Sequence, residues 1–365
     1  MTSSVFLTGA TGFIGSSFLE ELLAAQPDAR ITLLVRCRKS ESPPDRMKRV
    51  LAELGPDVEA AFHDRATIVE GDVTLEDFGL TGSQYSDIAR STTHIVHCAA
   101  AVRFDLPLDE ARAINLGGSQ RVLALARACR SLSRLDYVGT AYVAGTRTGP
   151  VKEDDLDLGQ AHHNTYEQTK MESESLMRRA MREVPLAIHR PSIVICDSRT
   201  GRISRYSAFH RMLAMYYMGG LTALPGQPST LMDIVPVDYV ARAIHAISRD
   251  AASLGKCFHL TAGPGRLTSL EEICDLAERH FGRPRLQIVP PEAFEASVRR
   301  LEASLSEEER DLLEEIRIYQ PYLAGRLEFD NSNTRSVLGA GAQAPPLRDY
   351  FAAMASYVIR SCTNR

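Results

Sequence analysis

Short apolar runs alternate with longer amphipathic stretches along most of the chain. The runs are Ser4–Thr8, Ile31–Val35, Thr67–Val69, His94–Cys98, Leu135–Thr140 and Leu186–His189, most of them rich in Val, Ile or Leu. Such short, apolar segments predict strands buried on both faces of a parallel sheet. Between them, Phe13–Ala25, Asp109–Cys129 and Thr165–Arg182 read as helices. In the first of these, Ile14, Phe18 and Leu22 recur at helical spacing with Leu19 and Leu23 beside them, which makes one face apolar. This alternation predicts an α/β fold with a doubly wound parallel sheet of the Rossmann type.

After Ser198 the rhythm breaks. Arg199 to Gln227 is rich in Arg and Met, while Asp238–Ser248 and Ser269–His280 read as helices. Pro290–Ile316 is charged, with Glu307, Glu308, Glu309, Arg310 and Asp311 in sequence, and reads as a solvated helix face. Residues 1–198 are therefore expected to form a nucleotide-binding Rossmann domain. Residues 232–262 return to it through helix-like Asp238–Ser248 and strand-like Cys257–Thr261. Residues 199–231 and 263–365 are expected to form a smaller, mostly helical substrate cap and C-terminal helices.

Composition changes this picture little. The chain is 44% hydrophobic and 24% charged, as an ordinary globular protein is. A formal net charge of -4 gives no reason to expect nucleic acid as a partner. The cysteines at 37, 98, 129, 196, 257, 274 and 362 show no CxxC pair and no zinc-like spacing. No metal is expected, and a reducing cytoplasmic compartment fits best. Val5-Phe6-Leu7 leads straight into a glycine motif, which leaves no room for a signal peptide outside the fold. No apolar run approaches the ~20 residues of a membrane span. A homodimer stays open.

The chemistry begins at Thr8-Gly9-Ala10-Thr11-Gly12-Phe13-Ile14-Gly15, which follows a strand and opens a helix. Gly9 permits the tight turn, Gly12 lets the backbone approach a pyrophosphate, and Gly15 lets helix and strand pack closely. Thr11, Phe13 and Ile14 lie within the same loop and helix start, whose N–H groups and partial positive charge suit phosphates. A glycine triplet alone is weak; the strand before it and the helix after it are what the motif requires. An acid about 20 residues on would bond a ribose 2′-hydroxyl. This chain has Arg36-Cys37-Arg38-Lys39 there, which favours a 2′-phosphate and hence NADP(H). At least one of Arg38 and Lys39 is expected to be merely solvated. Asp72 and Val73, in Gly71-Asp72-Val73 at the end of the third strand, suit the adenine, with a plain strand-end turn as the competing reading.

Tyr166-Glu167-Gln168-Thr169-Lys170 lies on a predicted helix, so Tyr166 and Lys170 share a face. An ammonium one turn away is expected to favour the phenolate and lower the tyrosine pKa, and Lys170 can also reach a nicotinamide ribose. A YxxxK pair is common on surface helices. What lifts this one is Thr140, a hydroxyl at the end of another strand, where a cofactor lies.

In this order, Thr8–Gly15, Gly71-Asp72-Val73, His97-Cys98-Ala99-Ala100-Ala101, Asn115, Thr140, Tyr166/Lys170 and His189-Arg190-Pro191-Ser192 resemble the motifs of extended short-chain dehydrogenases/reductases. The phrases TAYVAG, YEQTK, RPSIV and VPVDYVARAI resemble the thioester- and fatty-acyl-reductase-like branch, especially the group typified by a reductase of the mupirocin pathway. The likeness runs from about residue 4 to 281. It implies Tyr166 as general acid/base, Lys170 as its partner and Thr140 as the hydroxyl holding the reacting oxygen. It further implies Asn115 in support of a proton relay, Ala99, Ala100 and Ala101 as the floor of the cofactor site, and Pro191 and Ser192 beside the nicotinamide. Thr140 replaces the commoner serine, and Gly139 stands where many relatives carry a second hydroxyl.

The function so implied is NADPH-dependent reduction of an acyl thioester, on coenzyme A or a carrier protein, to an aldehyde or alcohol. A ketone or alcohol dehydrogenase, or a nucleotide-sugar epimerase/dehydratase, shares the fold; a silent nucleotide sensor would have lost the Tyr–Lys pair. The stretch Arg199–Leu224 is expected to wall the substrate entrance. There Arg202 and Arg205 would meet phosphates, and Met212, Met215 and Tyr216 an acyl chain. The alternative is solvated arginines followed by a core helix.

Overall fold

A computed structural model describes residues 3–38, 41–301, 305–323, 327–339 and 343–363. Its centre is a seven-stranded parallel sheet. The strands are β1 (Ser4–Thr8), β2 (Arg30–Val35), β3 (Ala66–Glu70), β4 (His94–His97), β5 (Arg134–Val138), β6 (Leu186–Pro191) and β7 (Cys257–Leu260). Their spatial order is β7-β6-β5-β4-β1-β2-β3, with the topological reversal between β1 and β4. Helices α1 (Phe13–Ala25), α2 (Pro43–Leu54), α3 (Pro56–Arg65), α4 (Gly82–Ser91), α5 (Leu108–Ala128) and α6 (Thr165–Ala180) connect the first six strands.

Strand period explains the two cores. Val5 and Leu7 of β1 join Leu33, Phe18 and Leu22 on one side of the sheet. Phe6, between them, joins Ile95, Leu135, Val122 and Met177 on the other. Both faces are covered, so the strands carry no polar alternation. The first side is completed by α8 (Val237–Ser248), whose Ile244 and Ile247 belong to the same cluster. α8 and β7 follow the Arg/Met-rich segment and bring the chain back to the sheet.

The cap packs α7 (Ala208–Met218), α9 (Leu270–Phe281) and α13 (Leu347–Thr363) around Leu213, Phe281, Phe351 and Met354. The charged stretch expected as one solvated helix is two, α10 (Pro291–Leu301) and α11 (Glu307–Tyr319). Ser306 and Glu309 form a capping box that starts the second. Phe294, Val298 and Ile316 turn into the cap core, so both helices have a buried side. Not all of 263–365 is cap. α12 (Ser332–Leu338) sends Val337 and Leu338 against the sheet-side cluster, and Asn333 donates to the Cys257 carbonyl of β7 (3.0 Å). Buried Glu153 ties these parts together by accepting from the backbone N–H groups of His259 (2.8 Å) and Asn333 (2.6 Å). Among the described residues, no helix is long and apolar enough to cross a membrane, and no His/Cys/Asp/Glu group could hold a metal ion.

Candidate active site

The glycine loop turns sharply because Gly9 has φ +80°. A methyl on Gly9 would lie 2.6 Å from the Ala99 nitrogen, and one on Gly15 2.1 Å from the Gly9 carbonyl oxygen. Side chains are therefore excluded where β1 runs into α1. Gly12 caps α1 without any side-chain bond, and no acid lies in the first turn. The helix thus presents uncapped N–H groups at the reversal point of the sheet, a cradle that fits a pyrophosphate. Phe13 and Ile14 open that helix, with Ile14 packed against the core. At the root of the loop, Thr8 Oγ1 meets His97 Nδ1 at 2.7 Å. Burial, with Lys170 adding to it, drives the His97 pKa down to about 3, so the ring is neutral.

Beyond β2, Arg36 lies 3.8 Å from Asp72, whose other oxygen accepts from the Thr74 N–H (2.8 Å). Val73 is buried against Gly118 of α5. Arg38 forms a backbone bridge with Glu41. Lys39 lies outside the described residues. Sequence reading missed Arg46 of α2. It is 8% exposed, donates to Thr11 Oγ1 (2.7 Å) and to the Arg36 carbonyl (2.7 Å), and keeps its Nε unpartnered. It braces the glycine loop from behind. Its only linear signal is a basic residue in a helix whose start is marked by Ser42-Pro43-Pro44-Asp45.

At the ends of β4, β5 and β6 the catalytic candidates meet. Thr140 follows β5 and accepts from the Tyr142 N–H (3.2 Å). Tyr166, in the first turn of α6, has the Thr140 side chain beside its phenol. Lys170, 3% exposed, donates to the Val138 carbonyl (2.8 Å), and its Nζ lies 4.4 Å from the Tyr137 ring centre. The phenol does not behave as expected. Burial pushes the Tyr166 pKa up to about 12, against the lowering effect of the Thr140 side chain. The Lys170 ammonium is turned to β5 rather than to the phenol, and burial lowers its own pKa to about 8. Tyr166 is thus held as a proton donor at neutral pH.

Asn115 bonds neither Tyr166 nor Lys170 among the described residues. Its amide clamps both the N–H (2.8 Å) and the carbonyl (3.2 Å) of Ala101, and donates to Thr169 Oγ1 (2.9 Å). It fixes the Ala99–Ala101 loop to α6, in place of the relay contact expected of it. Pro191 ends β6, and Ser192 gives its hydroxyl to Asp233 (2.6 Å), so that hydroxyl is already engaged. Arg190 is wholly buried and holds Glu174 of α6 through two hydrogen bonds, Nε at 2.8 Å and Nη2 at 2.6 Å. This bidentate pair locks the Tyr166 helix to the sheet.

An aromatic wall stands over the catalytic helix. The Phe104 ring stacks on Tyr166 at 5.4 Å and touches Tyr319 (4.8 Å) and Tyr322 (5.6 Å). Tyr322 donates to buried Glu167 (2.5 Å) and accepts from Asn164 (2.8 Å), so a C-terminal segment is latched to the residue after Tyr166. Beside it opens a small cleft of about 30 Å³, lined by Tyr142, Arg147, His163, Asp233, Tyr322 and Phe329. Tyr319 and Tyr322 lie in a stretch without motif, and no linear signal marked them.

The expected entrance wall is corrected. Tyr216 is 2% exposed and donates to the Arg283 (3.0 Å) and Pro284 (3.1 Å) carbonyls, which makes it a cap core residue. Met212 and Met215 pack against the same core. Arg202 is spent on Glu20 of α1 (2.5 Å) and the Glu53 carbonyl of α2 (2.9 Å). Arg205 is exposed, and desolvation, then the Arg38 and Arg36 charges, lower its pKa.

Residues 7–244 match the family described as male sterility protein. A fatty acyl-CoA reductase of Drosophila melanogaster (wat) is 29% identical over 68% of this chain and 54% of its own length. The nonribosomal peptide synthetase asaC of Aspergillus flavus is 31% identical over 70% of this chain and 26% of its own. The chain thus spans about half of the first and about a quarter of the second. The terminal R domain of the myxalamid PKS-NRPS pathway superposes with a TM-score of 0.86 at 28% identity, covering 99% of this chain and 91% of that one. The chain belongs to the male sterility protein family, an NAD-binding group of reductases among the extended short-chain dehydrogenases.

Proposed function

We propose that this protein reduces an acyl thioester, carried on coenzyme A or a carrier protein, to an aldehyde with NADPH. The observation that carries the reading is the Thr140 side chain set beside Tyr166, with Tyr166 kept protonated and the buried Lys170 four residues along the same helix. The names of the relatives, a fatty acyl-CoA reductase and a peptide-synthetase reductase region, support the thioester. The glycine cradle fits the pyrophosphate, and Arg36 and Arg38 offer positive charge to a 2′-phosphate.

When bound, the reduced nicotinamide supplies hydride to the carbonyl carbon. Thr140 and Tyr166 hold the carbonyl oxygen, where negative charge develops. Tyr166 gives its proton to that oxygen, and a hemithioacetal results. Its hydroxyl proton returns to the Tyr166 phenolate as the C–S bond breaks, leaving an aldehyde and a thiolate that takes a proton from water. Lys170, four residues along the same helix, keeps its ammonium on the Val138 carbonyl at the end of β5.

The test is to incubate the protein with NADPH and a panel of acyl-CoAs, ketones and nucleotide sugars, following NADPH absorbance and free thiol together. The expected result is NADPH loss matched by thiol release with acyl-CoA. Turnover of ketones or nucleotide sugars alone would overturn the reading.

A further inference from the structure

One buried carboxylate near the catalytic group has an oxygen with nothing to hold. Asp233, 3% exposed, lies between the short strands Leu231–Met232 and Ile234–Pro236. Its position is fixed from both backbone and side chain. Its carbonyl accepts from the Ile193 N–H (3.2 Å). Its Oδ1 accepts from the Ser192 hydroxyl (2.6 Å) and the Ala262 N–H (2.8 Å). Its Oδ2 has no hydrogen-bond partner among the described residues. Holding Ser192 and Ala262 takes one acceptor oxygen, which a side-chain amide would supply equally well. The carboxylate brings a second, and leaving it buried and unpaired is costly. Burial raises the Asp233 pKa to about 6, against the bonds from Ser192 and the Ala262 backbone, so the group is largely ionised at neutral pH.

Asp233 lines the small cleft beside the aromatic wall, and so does Arg147. Arg147 gives its Nη2 to Asp155 (2.9 Å), while its buried Nη1 has no partner among the described residues. The lining thus holds one unmatched acceptor and one unmatched donor. Exposed Leu231 belongs to the same lining, so the cleft reaches the surface. At about 30 Å³ it takes one water-sized group rather than a chain. The catalytic residues adjoin it. Tyr142 of the lining donates its N–H to Thr140 Oγ1 (3.2 Å). Tyr322 of the lining touches Phe104, which stacks on Tyr166.

A hydroxyl answers both unmatched groups, since it donates one hydrogen bond and accepts others. An ammonium would satisfy Asp233 but meet the Arg147 charge, and an alkyl group would leave both unpaired. We propose that the cleft receives a hydroxyl substituent of the acyl group, which donates to Asp233 Oδ2 and accepts from Arg147 Nη1. Asp233 then sets a preference for hydroxyacyl over plain acyl thioesters. This rests on the thioester reading above and deepens it. Asp233 moves no proton in the reduction; it selects the substrate.

The experiment measures kcat/KM by NADPH absorbance for butanoyl-CoA and its α-hydroxy, β-hydroxy and β-methoxy derivatives. The proteins are the full chain and its Asp233→Asn and Leu231→Trp variants, with thermal melts to check that each is folded. In Asp233→Asn, Ser192 and Ala262 keep the amide oxygen, which turns the NH2 group to the cleft. The expected result is that the wild type favours a hydroxyacyl substrate over butanoyl-CoA about tenfold or more, as a hydrogen bond to a charged group allows. The methoxy compound, which cannot donate, should gain nothing. Asp233→Asn should lower the hydroxyacyl-to-butanoyl ratio about tenfold. If that variant does not fold, Leu231→Trp, which crowds the cleft from an exposed position, decides by the same ratio. A wild type without the preference, or a folded Asp233→Asn that keeps it, overturns the proposal. Equal loss for plain and hydroxyacyl substrates also overturns it, and leaves Asp233 to the fold or to the pantetheine arm. In each of these outcomes acyl-CoA is still reduced, so the thioester reading stands. If no acyl-CoA is reduced, that reading falls and this inference with it.

Discussion

At the proposed nucleotide end, the candidate site is a loop of consecutive residues, Thr8 to Gly15, that offers mainly backbone atoms. At the proposed acyl end, Phe104, Tyr142, Tyr166 and the neighbouring Tyr319 and Tyr322 come from separate stretches and offer side chains. The first kind of site demands particular residues at fixed spacing, because a Cβ at Gly9 or Gly15 collides with backbone. The second demands only that rings of suitable size arrive together. Substitutions should therefore be sharp in effect at one end and graded at the other, except where an acyl-end residue moves a proton.

That exception carries the largest expected effect. Tyr166→Phe should lower kcat by about 10²–10⁴-fold, the contribution of a positioned acid, while NADPH binding by fluorescence titration stays near normal. A variant of normal rate would remove Tyr166 from the chemistry. Next is Gly15→Ala, which sets a methyl 2.1 Å from the Gly9 carbonyl oxygen. Forced overpacking costs about 1–3 kcal/mol, so urea melts should shift by that amount and NADPH and NADH should weaken together. Weakening of NADPH alone would mean that the loop tolerates the methyl.

Lys170 gives a pH test. Its folded pKa, near 8, lies below the ordinary lysine value of 10.5, so between these pH values the unfolded chain binds more protons. Stability of the nucleotide-free protein should rise with pH through that window, by at most about 1.4 kcal/mol per pH unit from this group. The comparison is with Lys170→Met, whose urea melts should lack that increment; equal slopes would contradict it. The smallest effect is Tyr322→Phe. It removes the bond to Glu167 and should cost about 1 kcal/mol, raising KM for the thioester with kcat nearly unchanged. A fall in kcat as large as that of Tyr166→Phe would make Tyr322 part of the proton transfer.

The same contrast explains what could be read in advance. The doubly wound parallel sheet is legible in the apolar runs and helix faces. The glycine loop, and Tyr166 with Lys170, are legible because their spacing along one loop or helix already places them, and Thr140 because it ends a strand. Arg46 and Tyr322 were not, since each reaches its partner only through tertiary packing. The Arg/Met-rich segment was misread for a related reason. Its composition suits phosphate and acyl binding, yet Arg202 is consumed by Glu20 and Tyr216 by the cap core. The raised Tyr166 pKa also escaped linear reasoning. Spacing shows that Lys170 lies on the same face, but only the fold turns its ammonium toward the Val138 carbonyl.

The central claim is that hydride reaches a thioester carbonyl with release of thiol. The most direct measurement is a single turnover with NADPH deuterated at C4 on the transferred face and an acyl-CoA, followed by mass spectrometry of the product and thiol titration. The account predicts one deuterium at C1 of the aldehyde and one equivalent of coenzyme A thiol per NADPH consumed. Deuterium incorporated without thiol release, or NADPH consumed with the thioester intact, would contradict it.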